Sequence, residues 1–215
     1  MNKEESLKVA LIGGSGRVGR FLIQRVSDAG YSMRLLVRNP EKIKPIDGRM
    51  EIVQGNARDI ASIRSLLQGC DTVLNALGQR NAKGEAPIFS TATGHVLAVM
   101  KELEIRRYIL VRAFSIDAPG DHKDLRTRLI SRLVRWVIPE IWADWQKELE
   151  TLLRSDVEWT LVRIPILADD PPVGQVRVDL ESLPGKKISG YDVANFVVAQ
   201  ITEPTYVRKA PFIGN

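Results

Sequence analysis

The chain has 215 residues, of which 44% are hydrophobic and 27% charged, the balance of an ordinary globular protein. Such a length suits one domain whose core needs neither metal nor disulfide, and the lone Cys70 excludes an internal disulfide and favours a reducing compartment such as the cytoplasm. The charged start Met-Asn-Lys-Glu-Glu-Ser leads directly into an apolar run, so we expect no signal peptide, and no run approaches the roughly 20 apolar residues of a membrane helix.

The net charge is +5, and the excess is spread along the chain apart from one local cluster of arginines. That cluster consists of Arg126, Arg128, Arg132 and Arg135. A basic excess suits an anionic small molecule, a nucleic acid or a membrane surface. Aromatic residues are not interleaved with the basic ones and no nucleic-acid motif is present, so we favour an acidic or phosphorylated small molecule over nucleic acid or membrane. The sequence leaves the oligomeric state open.

The first motif is a glycine-rich turn between a strand and a helix. Residues 9–12 form an unbroken apolar run, typical of a strand covered on both faces of a parallel sheet. Three glycines then stand at three-residue intervals. The candidate cofactor-binding residues of this turn are Gly13, Ser15, Gly16, Arg17, Val18 and Gly19. Glycines permit a tight turn and close approach of a diphosphate, which helix amides attract. We predict a dinucleotide site at this turn; a purely structural turn is the alternative.

The second predicted strand, residues 33–37, ends at Arg38. Roughly 20 residues past the glycines of such sites, the strand tip faces the adenosine ribose, where an acidic residue binds the 2′-hydroxyl of NAD. A guanidinium instead suits the 2′-phosphate of NADP. We therefore predict NADP, with Arg17 on the other side of the same phosphate. The alternative is that both arginines are solvated surface residues.

Apolar strands and helical patterns continue to alternate along the chain, with predicted strands over residues 51–55, 72–77 and 108–111. This alternation predicts an α/β fold, a single domain over residues 1–215 with a Rossmann-type doubly wound parallel sheet and helices on both faces. Its ligand is expected at the carboxyl ends of the strands. The candidates that follow these strands are Asn56 and Ala57 beside the adenine, and Ala76, Leu77 and Gly78 beside a ribose. Gln79 and Arg80 are either further neighbours or plain loop.

Two helices are predicted to begin at acidic caps, Asp59 and Asp192. A third helix is predicted within residues 119–139, which are basic and amphipathic. Its leucines stand at helical spacing, at Leu125, Leu129 and Leu133. Two interpretations stay open for this segment: a lid or partner-binding helix, and a helix that covers the core. A further helix over residues 142–154 and a sixth strand over 157–163 follow, and Gly185 is expected to open a turn.

The chain resembles the atypical short-chain dehydrogenase/reductases, in particular the NmrA-like group and its small flavin reductase (biliverdin reductase B-like) type. The resembling stretches cover nearly the whole chain: Gly13-Gly-Ser-Gly-Arg-Val-Gly19, Leu36-Val-Arg-Asn-Pro40, Asn75-Ala-Leu-Gly78, Glu150-Thr-Leu-Leu-Arg-Ser155 and Trp159-Thr-Leu-Val-Arg-Ile-Pro165. The resemblance implies NADP binding in a Rossmann fold, with Pro165 near the cofactor. It also implies reduction of flavins or other planar acceptors, at a site built from residues 112 to about 190.

The active-site pattern of that family is altered in this chain. Family members that reduce a carbonyl use a Tyr, a Lys four residues later and a Ser at the fifth strand tip. Here no Tyr precedes a Lys at that spacing, and the expected positions fall near Trp142 and near Gln146 and Lys147. Arg112 stands in place of the serine, and Ser115 follows three positions later.

Hydride transfer to a flavin does not require the Tyr, Lys and Ser, because the flavin accepts hydride at nitrogen and takes its proton from water. We therefore expect an NADPH-dependent reductase of a planar acceptor, with Arg112, Ser115 and Trp142 as candidate catalytic residues and no metal. Candidates for the acceptor wall are Phe114, Trp142, Trp145 and Pro165. The alternative is that these aromatic residues are part of the core. The alternative function is a regulator that binds NADP(H) without turning it over.

Overall fold

The apolar runs of the sequence become strands of a central sheet. The computed structural model describes residues 7–43, 48–78 and 86–215. Gln79 and Arg80 lie outside these residues. The strands are β1 (Lys8–Ile12), β2 (Ser32–Val37), β3 (Met50–Gln54), β4 (Thr72–Asn75), β5 (Arg107–Ala113), β6 (Glu158–Ile164), β7 (Ile166–Ala168), β8 (Arg177–Asp179), β9 (Lys187–Ser189) and β10 (Phe212–Gly214). The α-helices are α1 (Gly19–Asp28), α2 (Ile60–Leu67), α3 (Phe89–Glu102), α4 (Leu125–Val137), α5 (Pro139–Arg154) and α6 (Gly190–Ala199).

The main sheet has the strand order β3-β2-β1-β4-β5-β6-β10-β8, and all of its described pairs are parallel except that between β10 and β8. The chain runs outward from β1 in one direction and from β4 in the other. This reversal opens a crevice at the carboxyl ends of the strands, where open α/β sheets bind their ligands. The predicted α/β Rossmann-type fold is confirmed. A small parallel pair, β7 with β9, was not predicted.

Alternate residues of each strand face opposite layers of helices. In β1, Ala10 packs in the core that α2, α3 and α5 complete, while Leu11 packs in the core that α1 and α6 complete. Both residues are fully buried, and so is Leu22 of α1. The unbroken apolar run of β1 is thus explained by burial on both faces of the sheet.

The two predicted helix caps have different outcomes. Asp59 caps α2 as predicted, accepting hydrogen bonds from the amides of Ala61 (3.1 Å) and Ser62 (3.0 Å). At α6 the cap is Ser189, whose hydroxyl accepts from the Asp192 amide at 3.0 Å, so the prediction of Asp192 was wrong by three residues. The Asp192 carboxylate completes a reciprocal pair by accepting from the Ser189 hydroxyl at 2.9 Å. The turn expected to follow Gly185 is short, because β9 begins at Lys187.

Helix α4 does not cover the core, so that interpretation of the basic segment is wrong. Its buried residues are the small and polar Thr127 and Ser131. Its leucines point outward, with Leu125, Leu129 and Leu133 at 70%, 55% and 57% exposed. Within the described residues, no helix combines the length and the apolar character needed to span a bilayer.

Candidate functional site

The glycine turn contains four glycines, and at Gly13 and Gly19 it is packed too tightly against backbone atoms for a side chain. Gly13 has a φ of +85°, and a Cβ placed there would lie 2.6 Å from the carbonyl carbon of Ala76. A Cβ on Gly19 would lie 2.6 Å from the Cα of Gly14. The amide of Gly16 closes the turn by donating to the carbonyl oxygen of Gly13 at 2.9 Å. The turn therefore lies directly against the end of β4, and residues with a side chain would not fit at these two positions.

Helix α1 starts immediately after this turn. Val18 occupies the cap position without a side-chain hydrogen bond, because valine has no acceptor to offer. The positive end of the helix dipole therefore faces the crevice without a capping side chain. Ser15 and Gly16 lie in the turn in front of it, and Ser15 is exposed. This arrangement is the one that binds a diphosphate in nucleotide-binding proteins.

Two arginines connect the glycine turn to the segment after β6. The guanidinium of Arg17 donates to the carbonyl oxygen of Leu167 at 2.8 Å. Arg20, the second residue of α1, forms an ion pair with Asp169 at 2.7 Å. Arg17 thus ties the turn to β7, and the phosphate contact expected of it stays a prediction.

Arg38 and Asn56 follow neighbouring strands at the same edge of the sheet. Arg38 is exposed directly after β2, and the carbonyl oxygen of the preceding Val37 accepts from the Gly55 amide at 2.9 Å. Asn56 is exposed too, and its side-chain oxygen accepts from the Arg58 amide at 3.1 Å in an Asx turn. Ala57 beside it is buried. Their contacts with an adenosine stay predictions, but the fold places them at one end of the crevice.

Ala76 and Leu77 lie at the centre of the crevice. The Ala76 amide extends the β1–β4 pairing by donating to the carbonyl oxygen of Ile12 at 2.9 Å. The Leu77 amide donates to the side-chain oxygen of Asn75 at 2.9 Å, which turns the chain away from the strand. Gly78 is exposed, and a Cβ there would meet no atom within 4 Å. The structure therefore brings Ala76 together with Gly13, as a shared cofactor site requires.

A buried polar network lies beneath this end of the sheet, and the sequence reasoning missed it. Arg112 of β5 forms a two-pronged ion pair with Glu148 of α5, with N–O distances of 2.6 and 2.7 Å. Glu148 also accepts from the Thr93 hydroxyl at 2.6 Å. Thr93 contacts the Tyr108 hydroxyl at 2.9 Å, and Asn75 donates to that hydroxyl at 2.7 Å. The available signal was Glu148, a carboxylate four residues before Leu152 on the buried face of α5.

The environment of Arg112 differs from that of a group facing solvent. Burial acts to lower the pKa of Arg112, but the Glu148 carboxylate more than offsets it and the pKa is raised. At Tyr108 burial acts in the opposite direction and raises the pKa, so both groups keep their protons. The remaining Arg112 nitrogen donates to the carbonyl oxygens of Val111 at 2.8 Å and Leu77 at 3.3 Å. The guanidinium is directed at the protein, and its contact with a substrate stays a prediction.

Ser115 and Trp142 are brought together by the fold. The indole nitrogen of Trp142 donates to the carbonyl oxygen of Ser115 at 3.1 Å. The Ser115 hydroxyl is buried and has no hydrogen-bond partner within the described part of the chain. Four residues after Trp142, Gln146 accepts from the Asp117 amide at 2.8 Å and donates to the Asp117 carbonyl oxygen at 3.1 Å. Both side chains of α5 therefore fasten the loop that follows β5.

Pro165 lies close to this loop. It is buried directly after β6, and the carbonyl oxygen of the preceding Ile164 accepts from the Phe114 amide at 3.0 Å. Phe114 itself is half-buried. Trp145, one residue before Gln146, instead packs against the buried core beside Phe89, with ring centroids 5.7 Å apart. The loop after β5 and the end of β6 thus form one wall of the crevice.

A glycine turn against β4, an uncapped α1 and a crevice at the strand reversal define a nucleotide-binding Rossmann domain. The chain belongs to the NAD(P)H-binding family, whose model matches residues 13–204. The family expected from the sequence is confirmed at this level.

Individual relatives are distant. The chain is 25% identical over 203 residues to a (4-alkanoyl-5-oxo-2,5-dihydrofuran-3-yl)methyl phosphate reductase of Streptomyces griseus, covering 90% of this chain and 63% of that protein. It is 30% identical over 90 residues to an anthocyanidin reductase of Arabidopsis thaliana, covering 38% of this chain and 26% of that protein. The chain thus spans less than two thirds of the length of these curated relatives.

Solved structures share the fold. A short-chain dehydrogenase/reductase of the wide type from Veillonella parvula, solved in complex with NADP, superposes with a TM-score of 0.76 at 16% identity, covering 97% of this chain and 94% of that one. A Rossmann-fold NAD(P)-binding family protein from Shigella flexneri gives a TM-score of 0.74 at 20% identity, covering 97% and 93%. Both comparisons support the architecture alone.

Proposed function

We propose that this protein is an NADPH-dependent reductase that transfers hydride to a flavin or a similar planar conjugated acceptor, without a Tyr/Lys catalytic pair. We place it among the atypical short-chain dehydrogenase/reductases, near the NmrA-like and flavin reductase types. The observation that carries the proposal is the glycine turn, where a Cβ on Gly13 would overlap the backbone of Ala76. A turn this close to the neighbouring strand leaves backbone amides as the lining of the crevice.

The residues fit a nicotinamide dinucleotide along the crevice. Gly13, Ser15 and Gly16 would hold the diphosphate together with the start of α1. Arg38 would hold the 2′-phosphate that distinguishes NADP from NAD, because a guanidinium pairs with phosphate in two-pronged geometry. The remaining contacts would come from Asn56, Ala57, Ala76, Leu77, Gly78 and Pro165. When bound, NADPH supplies the hydride.

The buried pair of Arg112 and Glu148 acts on this site indirectly, through the backbone of Leu77. Arg112 donates to the carbonyl oxygen of Leu77, which lies in the cofactor crevice. Its ion pair with Glu148 fixes the guanidinium, and the guanidinium fixes that carbonyl group. We therefore assign Arg112 as a positioning residue. Trp142 remains the candidate for contact with the acceptor because it is half-buried, whereas Ser115 is fully buried and its carbonyl oxygen accepts from the Trp142 indole.

The type of acceptor follows from whether the side chains near the site can donate a proton. The indole of Trp142 does not release a proton at neutral pH, and the amide of Gln146 carries no charge with which to lower a neighbour's pKa. Proton donation to a carbonyl by the usual route is therefore not provided at these positions. A flavin-like acceptor takes its proton from water, so it fits these residues better. The Streptomyces griseus relative is named for reducing a phosphate-bearing dihydrofuran, which supports a small-molecule acceptor.

The proposal is tested by following the oxidation of NADPH with a panel of acceptors. Purified protein is mixed with NADPH and with FMN, riboflavin, a quinone or a simple ketone. We expect consumption of NADPH with one or more planar acceptors and none with the ketone. Failure with every planar acceptor, in a protein that binds NADPH by calorimetry, would rule out the reductase.

One observation favours a second function, a regulator that binds NADP(H) without turnover. Trp142 and Gln146, near the positions of the family's Tyr and Lys, are both occupied in holding residues 115 and 117. Under this function NADP and NADPH bind, no acceptor is reduced, and a protein partner is captured with one oxidation state of the nucleotide and not with the other.

A further inference from the structure

A cleft opens between α4 and α5, on the side where Trp142 contacts Ser115. Its outer part has a volume of about 580 Å³ and is walled by Trp136, Pro139 and Ala143. A narrower inner part of about 140 Å³ reaches Ser131. Arg132, Arg135 and Trp142 line both parts, which therefore adjoin each other, and we call the two parts together the arginine cleft.

The inner part of the arginine cleft carries an excess of positive charge. Its lining contains Lys123, Arg128, Arg132 and Arg135 but one carboxylate, that of Asp117. Lys123 pairs with Asp117 at 2.7 Å and with Asp121 at 3.6 Å, so the positive excess comes from the arginines. Neither Arg132 nor Arg135 has a carboxylate partner within residues 7–43, 48–78 and 86–215. The guanidinium of Arg135 lies 4.7 Å from the ring centroid of Trp142, an arrangement that fixes its position without neutralising it.

A buried hydroxyl adds a second, independent indication of a ligand. Ser131 is 6% exposed and lines the inner part, and its hydroxyl has no hydrogen-bond partner in the described chain. Buried polar side-chain atoms nearly always have a partner. An unpaired hydroxyl beside unpaired guanidinium groups is suited to a ligand with strong acceptor oxygens, which means a phosphate or a carboxylate.

The outer part of the arginine cleft is apolar and has flat walls. Trp136 is 80% exposed and Trp142 half-buried, and Pro139 and Ala143 complete the surface between them. Aromatic rings pack well against other planar rings, with centroids about 4.5–7 Å apart. A space of this size accommodates a small organic molecule, because such sites typically measure about 300–1,000 Å³. The cleft therefore offers a wall for a ring at one end and cations for an anion at the other.

We propose that the arginine cleft binds a planar ring that carries a phosphate or a carboxylate. The anionic group lies toward Ser131, Arg132 and Arg135, and the ring lies against Trp136 and Trp142. Trp142 lines the cleft, and its indole nitrogen donates a hydrogen bond to the carbonyl oxygen of Ser115, in the loop after β5 that forms part of the crevice wall. The cleft is then the binding site of the reductase's acceptor. This last step rests on the proposed function, whereas binding of the ligand does not.

Binding is tested by calorimetry in the absence of nucleotide, with 1-naphthyl phosphate and its uncharged counterpart 1-naphthol. Because charge-assisted hydrogen bonds hold the phosphate, we expect 1-naphthyl phosphate to bind at least about tenfold more tightly. The double variant Arg132→Gln/Arg135→Gln should reduce that preference to about twofold or less. The control variant Arg106→Gln/Arg126→Gln removes the same charge from exposed positions outside the cleft and should keep the preference.

Three results would overturn the proposal: failure of 1-naphthyl phosphate to bind, equal affinity for both compounds, or an equal loss in the control variant. Circular dichroism and thermal unfolding establish that each variant is folded. Turnover then separates the two proposals. If FMN is reduced, Arg132→Gln/Arg135→Gln should raise the KM for FMN by a larger factor than the KM for riboflavin, which carries no phosphate. Binding of 1-naphthyl phosphate without turnover of any acceptor would remove the reductase and leave the ligand site in place.

Discussion

Arg38 is an exposed arginine at the carboxyl end of β2, a position where the chain has no acidic residue to repel a phosphate. Under the proposed function, the preference for NADP over NAD depends mainly on this side chain. A guanidinium at this point would add a charge-assisted hydrogen bond to the 2′-phosphate that NAD cannot receive.

Replacing Arg38 with aspartate should weaken NADPH binding by about 10- to 100-fold and change NADH binding by about threefold or less. The reason is that a carboxylate repels the 2′-phosphate and accepts from a ribose hydroxyl. Titration calorimetry with both nucleotides measures the difference, and Arg126→Asp serves as the control for net charge. Equal weakening of both nucleotides would show that Arg38 does not contact the phosphate.

Glu148 is the buried residue on which a second prediction rests. Truncation to alanine leaves the Arg112 charge buried without its partner, so Glu148→Ala should lower the free energy of unfolding by about 3–5 kcal/mol. Urea denaturation measures the loss. The combined variant Arg112→Met/Glu148→Leu should recover most of it, because an apolar pair of similar volume needs no counter-charge.

The matched control for this measurement is the exposed ion pair of Arg64 and Glu102, whose N–O distance is 2.9 Å. Exposed pairs contribute little, so Glu102→Ala should have a much smaller effect on stability than Glu148→Ala. Similar losses in the two variants would mean that the buried pair does not stabilise the fold.

At the scale of elements, the connection from β1 to α1 is set by sterics. The helix can start where it does because Gly19 brings its first turn against the backbone of Gly14. A methyl group at this point would push α1 away from the sheet and change the spacing of the amides that face the crevice.

Gly19→Ala should therefore abolish detectable NADPH binding and destabilise the protein. The control is Gly94→Ala in α3, where a Cβ would meet no atom within 4 Å. In a helix interior this substitution should raise the free energy of unfolding by about 0.5–1 kcal/mol and leave nucleotide binding unchanged. Thermal unfolding and calorimetry of both variants provide the comparison. Retained NADPH affinity in Gly19→Ala would contradict a site at this turn.

At the scale of the whole molecule, both layers of helices pack on one sheet, and the crevice is formed by residues from the connections after six of its strands, β1 to β6. The core on each face of the sheet includes residues from both halves of the chain. Unfolding is therefore expected to be a single cooperative transition.

Bound nucleotide should raise the midpoint temperature of that single unfolding transition. At 100 times its dissociation constant, NADPH stabilises the folded state by about 2.7 kcal/mol, which corresponds to a rise in Tm of about 5–10 °C for a chain of this length. Differential scanning calorimetry with and without NADPH gives the shift. Two separate transitions, of which only one responds to NADPH, would mean that the chain contains independent folding units.

The sequence predicted the parts of this site that depend on neighbouring residues. The strand, the glycine turn and the start of α1 follow one another within residues 8–19, so their signals are local. The cap at Asp59 is local in the same way. The cap of α6 was assigned to Asp192 although Ser189 forms it, because Ser189 and Asp192 both carry capping side chains and only the backbone conformation distinguishes them.

By itself the sequence determined the Rossmann-type fold and predicted the position of the nucleotide site, because apolar periodicity and glycine spacing act over short stretches of chain. Only the tertiary structure decided that Arg112 pairs with Glu148, that Trp142 reaches Ser115, and that the leucines of α4 face outward. Each of these depends on which residues meet after the chain has folded, across separations that no local pattern records. The arginine cleft also depends on the tertiary structure, since α4 and α5 become its two walls only when they pack together.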